Sequence, residues 1–321
     1  MKKNALRLLF GCISLYLCSI TAFAADMLVP VGQVIGLELY NDTVTVVAFD
    51  DCITTGRDAG LQIGDEIRKI DGCTIETAED VRRALNSSDG SVDLSVMRNG
   101  KERQIHMEPE ITGDGPKMGV FLRQGITGIG TVTWYDPQTD SFATLGHAVN
   151  DSKGKLLQMS RGCAYPARVV SVQKGKSGAP GQLKGALNTD VLLGQLTGNT
   201  TRGVFGTAPD AWEGQAVPVA ACEEIKLGSA AIRSTISEGA PRDYSVEIIK
   251  LYPKSRADGR NMLIKVTDPE LLNATGGIVQ GMSGSPIIQD GKLVGAVTHV
   301  LVNDPTMGYG IFIENMLDAA A

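Results

Sequence analysis

The sequence predicts a mainly β fold in two unequal parts behind an N-terminal export segment. Residues 33–110 read as a small α/β unit, and residues 118–321 as a larger antiparallel β-barrel region. Three observations lead to this. Glycine fills 38 of 321 positions while aromatics are only 5%, a glycine share of about 12% where 7% is usual. The strand-like runs are short and are separated by Gly, Pro and Asp clusters. The length is about twice the ~150 residues expected of one domain. With 43% apolar and 21% charged residues, the chain can bury a core and is not disordered. A formal charge of −6, from 30 basic and 36 acidic side chains, argues against a broad nucleic-acid footprint. There is no solenoid-period repeat. The composition excludes a coiled coil, a polytopic membrane protein and a helical bundle.

The export segment covers residues 1–25. Lys2, Lys3 and Arg7 precede an uncharged run from Leu8 to Ala25, and Ala22-Phe23-Ala24 has the small-x-small form of a signal peptidase site. The run is either removed or kept as a membrane anchor, since 18 apolar and small residues stand at the lower limit for a span. Beyond it lie Cys52, Cys73, Cys163 and Cys222. Cys52 with Cys73 and Cys163 with Cys222 would keep each bridge inside one unit, and free thiols are the other reading.

In the first unit, Gln33–Tyr40 and Thr43–Phe49 read as strands. Thr77 is placed to cap a helix to Leu85, with Glu79 and Asp80 in its first turn. Val92, Leu94 and Val96 alternate with polar residues, and Asn99-Gly100 is a two-residue hairpin signal. The series Ala59-Gly60-Leu61, Gly64-Asp65, Ile67, Ile70-Asp71-Gly72, followed by this helix, resembles a PDZ domain. The resemblance implies that Ile35, Gly36 and Leu37 form the loop receiving a peptide's terminal carboxylate, with the peptide added as a strand.

After residue 118 short β-rich runs recur, Gln173–Gly185 reads as an exposed loop, and Glu314–Ala321 as a terminal helix. The chemistry centres on Gly281-Met282-Ser283-Gly284-Ser285-Pro286. A nucleophilic serine needs a tight turn and backbone N–H groups to hold an oxyanion, and flanking glycines permit that turn. Ser285 is a second candidate nucleophile. The hexapeptide resembles the nucleophile region of chymotrypsin-like proteases. It is not the elbow of α/β-hydrolases, because a strand follows where a helix is needed. Of the three histidines, His106 lies on the last strand of the first unit and reads as a surface residue. His147, in Thr144-Leu145-Gly146-His147-Ala148, resembles the Thr-Ala-Ala-His-Cys segment of the same proteases and is the expected base. His299, on the strand Val294–Val302, reads as a half-buried strand residue that could contact substrate. Asp136, Asp140, Asp151, Asp268 and Asp304 are all candidates for the orienting acid, and Asp268-Pro269-Glu270 is also a good helix start.

The stretch Thr275–Ile313, with the export segment, the PDZ-like unit and Gly146-His147-Ala148 in this order, resembles the stage IV sporulation protein B family of endospore formers. That resemblance implies a serine endopeptidase with His147, Asp268 and Ser283 as triad and the N–H groups of Gly281 and Ser283 as oxyanion hole. No metal or organic cofactor is needed. It also implies export across the forespore inner membrane, cleavage of its own chain, and cleavage of a membrane-bound regulator that releases intramembrane processing of pro-sigma-K. PDZ peptide ligands are further expected partners. The alternative is an inactive PDZ–barrel scaffold. A PDZ-bearing quality-control protease is disfavoured because there the PDZ unit follows the catalytic domain.

Overall fold

The computed structural model describes residues 27–151 and 153–320; the export segment lies outside them. Among the described residues no helix is long and apolar enough to cross a membrane. Strands dominate, as expected, and they close into two six-stranded barrels. In the first, strand Val120–Asp136 pairs in turn with Ser141–Thr144, then Gly203–Thr207, Gly194–Thr200, Arg161–Gln173 and Val34–Phe49, which returns to the first strand. The second runs Gly228–Ser234, Arg242–Leu251, Met262–Val266, Asp304–Phe312, Lys292–Leu301, Pro286–Gln289 and closes on itself. Each barrel has its own core. Ile35, Leu37, Val132 and Phe142 fill the first; Ile232, Ile264, Ile287 and Val297 fill the second. Truncating any of these to Ala would cost roughly 2–5 kcal/mol.

The PDZ-like unit is not a separate N-terminal bead but an insertion into a hairpin of the first barrel. Val34–Phe49 and Val120–Asp136 are single long strands that cross from one unit to the other. Their ladder runs from Val34↔Thr131 to Leu39↔Ile126 in the barrel, slips at a bulge, and resumes from Val44↔Gln124 to Phe49↔Val120. Past that bulge the side chains enter a third core, where Val44, Val46, Ile67, Leu94 and Val96 pack with Val81 and Leu85 of helix Ala78–Ser87. Thr77 caps that helix in a reciprocal box with Asp80. Asn99 and Gly100 both take positive φ, as a type I′ hairpin requires. Inside the unit, buried Asp65 accepts from Arg98 through both oxygens, Nε to Oδ1 at 2.7 Å and Nη2 to Oδ2 at 2.6 Å.

This topology corrects two expectations. The unit begins near Val44 rather than residue 33 and draws on strand residues up to Leu122, beyond the expected end at 110. Ile35, Gly36 and Leu37 do not form a carboxylate loop. They are strand residues buried between the neighbouring strands, paired with Gly130, Ile129 and Gly128 on one side and Pro166, Tyr165 and Ala164 on the other. With both edges occupied, no peptide strand can add there. Gly36 is glycine because a Cβ would run into the Leu187 side chain.

The stretch 173–185 is a loop only in its middle. Gln182–Leu187 is a strand whose Leu183 reaches the second core. The terminal helix Ile313–Ala320 packs Ile313 and Met316 against Leu28, Trp134, Phe205 and Leu293. All four cysteines outside the export segment are free thiols, so neither bridge is formed.

Candidate active site

Two sharp backbone corners, one from each barrel, bring the expected base and nucleophile to one cleft. After Ser141–Thr144, Leu145 and Gly146 both take positive φ, 70° and 68°. This reverses the chain and sets His147 in the cleft beside His299. A Cβ on Gly146 would lie 3.0 Å from the Thr298 methyl and 3.1 Å from Ile311, so the corner rests directly on the second barrel. On that barrel Gly281 (φ 99°) and Gly284 (φ 96°) bracket Met282-Ser283. Met282 N–H donates to Val279 C=O, Gly284 N–H to Val297 C=O and Ser285 N–H to Met282 C=O. The result is a rigid loop with Ser283 at its tip.

The first barrel clamps this loop. Thr131 N–H donates to Ser283 C=O at 3.0 Å, Thr131 Oγ1 to Gly281 C=O at 2.8 Å, and Thr133 Oγ1 to Gly284 C=O at 2.7 Å. Both threonines are fully buried. Sequence reasoning missed them. Their trace is a Thr-Val-Thr-Trp run in which hydroxyls alternate onto the strand face opposite core residue Val132, a polar pattern that makes sense only if another element accepts from it.

His147 and Ser283 line a cavity of about 470 Å³ between the barrels, with Leu37, Ile129, Leu145, Val279 and His299 among its walls. The His147 Nδ1–H donates to Ala148 C=O at 2.8 Å, and a carbonyl can only accept. Neutral His147 is therefore the Nδ1–H tautomer, with the Nε2 lone pair free to act as base. Burial pushes its pKa below the ordinary value, opposed by the Ala148 carbonyl. Ser283 Oγ donates to Thr298 C=O at 2.8 Å rather than to His147. Among the described residues neither the Gly281 nor the Ser283 N–H donates to a protein acceptor, as a free oxyanion hole requires. The His299 ring lies with its centroid 5.0 Å from that of His147, tilted by 42°. Its buried Nδ1 has no partner, and its pKa is pushed down to about 4 by burial first, then by His147 and Arg260.

The competing serine is excluded by position: Ser285 is fully buried and donates to Ser234 Oγ at 3.0 Å. His106 is exposed beside Asp93 at 2.8 Å, as a surface residue. Asp268 does not join the two catalytic candidates. It is the N-cap of helix Pro269–Thr275 and accepts from the N–H groups of Glu270 (2.9 Å), Leu271 (3.0 Å) and Ser245 (3.3 Å). It does not line the cleft. The other aspartates are also engaged locally. Asp136 accepts from Gln138 N–H, Asp140 from Tyr135 hydroxyl, Asp151 from the N–H groups of Lys153 and Lys155, and Asp304 from Thr306. The group that orients His147 is a main-chain carbonyl, not a carboxylate.

Outside the cleft, ligand atoms of Cys222, Glu223 and Glu314 lie within 4.8 Å of one another. Burial and the carboxylates push the Cys222 thiol up to about 12, which disfavours the free thiolate.

Two antiparallel β-barrels with a serine and a histidine lining one cavity between them define a serine endopeptidase of the chymotrypsin-like class, here carrying a PDZ unit. The chain belongs to the SpoIVB peptidase S55 family, whose profile matches residues 115–317. No curated protein matches it. Among solved structures, the PDZ domain of the SdrC-like protein from Listeria monocytogenes is 24% identical, covering 25% of this chain and 87% of that one with a TM-score of 0.23. The active form of the Rv3671c protease from M. tuberculosis is 17% identical over 61% of this chain and 73% of that one, with a TM-score of 0.34. The HtrA-type protease AlgW with a decapeptide is 10% identical over 91% and 64%, with a TM-score of 0.38.

Proposed function

We infer that this chain is an exported endopeptidase that cuts itself and a membrane-bound regulator in the sporulation checkpoint that leads to processing of pro-sigma-K. The observation that carries the chemistry is the placement of His147 and Ser283, from different barrels, on the wall of one cavity. The reaction requires the Ser283 side chain to rotate away from Thr298 C=O toward His147 on the same cavity wall. Ser283 Oγ then attacks the scissile carbonyl while Nε2 takes its proton, and the Gly281 and Ser283 N–H groups hold the oxyanion. Nε2 returns the proton to the leaving amine, and water, activated the same way, releases the acid. Ala148 C=O stabilises the imidazolium in place of a carboxylate. The mostly apolar walls favour an apolar side chain beside the scissile bond.

Family membership and the Lys2–Ala25 leader support export, since the regulator and the protease must meet outside the compartment of synthesis. The test is N-terminal sequencing of purified protein on incubation, with and without the regulator's exported domain. Wild type should generate new N termini in both chains. Ser283→Ala and His147→Ala should generate none, and fluorophosphonate should label wild type but not Ser283→Ala. Equal labelling of both would remove Ser283 from the nucleophile role. Labelling with no cut in either chain would leave a peptidase and sink the checkpoint role.

A further inference from the structure

The mouth of the cleft beside His299 carries a concentration of positive charge that the hydrolytic chemistry does not use. His299 is paired across the sheet with Tyr309, and the Arg260 guanidinium lies over the Tyr309 ring at 5.1 Å. Arg256 lies over Tyr252 at 4.5 Å. Both arginines sit on the turn joining Arg242–Leu251 to Met262–Val266. From the other barrel, the hairpin between Gly194–Thr200 and Gly203–Thr207 contributes Arg202. Its Nη1 donates to Arg256 C=O at 3.4 Å. A Cβ on the neighbouring Gly203 would lie 3.6 Å from Gly146 N, at the corner that presents His147. Arg260 therefore stands beside His299 through the Tyr309 ring, and Arg202 reaches the same turn from the other barrel.

The negative charge at this mouth is smaller. Asp258 is claimed by Arg256 in a two-pronged pair, Nε to Oδ1 at 2.6 Å and Nη2 to Oδ2 at 2.9 Å. Its distance to Arg260 Nε is 3.9 Å, too long for a hydrogen bond. Arg260 Nε is buried and has no partner. Three guanidiniums thus face one spoken-for carboxylate in a chain whose net charge is −6. A buried guanidinium N–H without an acceptor is costly, and the planar fork of arginine suits a carboxylate.

We propose that Arg260 and Arg202 form a specificity subsite that captures an acidic side chain of the substrate, within about four residues of the scissile bond on the side that runs past His299. An incoming Glu or Asp would supply the acceptor that Arg260 lacks and close the gap between the two barrels' arginines. The apolar cavity at Ser283 and the basic mouth then read two neighbouring features of one peptide, an apolar residue and an acidic one. This rests on the endopeptidase reading, and the test separates the two.

Nine-residue peptides with acetylated and amidated ends, which deny the PDZ unit a terminal carboxylate, carry one Glu or its Gln isostere at each position in turn. Binding to Ser283→Ala is read by fluorescence anisotropy, so no turnover is needed. Glu should bind about tenfold to a hundredfold tighter than Gln at one or two adjacent positions, the range of a hydrogen bond to a charged group. That ratio should collapse on adding Arg260→Gln or Arg202→Gln and partly survive Arg260→Lys. On the parent protein it should shrink as salt rises from 50 to 500 mM, a readout independent of whether the arginine variants fold. Absence of a Glu preference at every position, or a preference that survives both Gln variants and high salt, overturns the subsite. Fluorophosphonate labelling of wild-type Ser283 is the separate readout of the endopeptidase reading: a labelled serine without a Glu preference sinks only the subsite.

Discussion

Replacing Asp268 separates a helix cap from a catalytic acid. The carboxylate holds two N–H groups of the first turn of Pro269–Thr275 and a third from Ser245. At this half-buried position water can replace part of what is lost, so Asp268→Ala should cost about 0.5–2 kcal/mol, the range for an N-cap. At about 2–4 °C per kcal/mol for chains of this size, the melting temperature should fall by a few degrees. Asp268→Asn keeps an oxygen in place, and Asn caps as well as Asp, so it should melt within about 0.5 kcal/mol of wild type. Its rate of fluorophosphonate labelling and of peptide hydrolysis should stay within about threefold. A triad acid behaves otherwise: Asn in that role imposes the wrong imidazole tautomer and costs about 10⁴ in turnover. The paired measurement is a urea melt and a labelling rate on the same preparations. An Asp268→Asn protein that melts like wild type but has lost a thousandfold or more in rate would refute the capping argument and return Asp268 to the triad.

Other expectations follow from the same geometry. Because burial lowers the His147 pKa, the base form persists below the ordinary imidazole value of about 6.5. The acid limb of the labelling rate should therefore fall below pH 6.5, and a limb at or above 6.5 contradicts the assignment. His299, held at about 4 when folded against about 6.5 unfolded, binds fewer protons in the native state between those values. Wild type should thus lose stability relative to His299→Gln as pH falls from about 6.5 to 4, and urea melts showing the reverse slope would refute this. Gly284→Ala puts a Cβ onto Thr131 C=O and within 2.5 Å of Leu145 N at φ 96°. It should abolish labelling through loss of the clamp, whereas near-normal labelling would show that the clamp is dispensable. Replacing residues 41–124 by Asn-Gly closes the hairpin at Leu39↔Ile126. Among the described residues, the only charged tie this removes from the segment after His147 is the surface pair Lys153–Glu66 at 2.9 Å, worth at most about 1 kcal/mol. The shortened chain should still be labelled, and an insoluble or unlabelled product would show that the barrel needs its insert.

Much of the molecule was legible in local pattern. The Thr77 cap, the Asn99-Gly100 turn, the glycine-bracketed Ser283 and the Gly146-His147-Ala148 corner are short-range signals, each set by residues within a few positions of one another. What the sequence could not show by itself is which barrel a strand joins. Gln33–Tyr40 and Thr43–Phe49 read as two strands of one small unit, whereas Val34–Phe49 is a single strand whose two halves enter different cores, and pairing across some 80 residues of sequence leaves no local mark. That is why Ile35, Gly36 and Leu37 read as a ligand loop and turned out to be barrel wall. Asp268 shows the same limit. Its spacing from Ser283 suits a triad and its neighbours suit a cap, and only the fold reveals that its oxygens face three backbone N–H groups while the Nδ1 of His147 faces a carbonyl. The Thr131 and Thr133 clamp and the Arg202–Arg260 mouth belong wholly to tertiary structure, because each joins residues from two barrels. Sequence determined the corners and their chemistry; the closing of two separate sheets determined which of those corners meet.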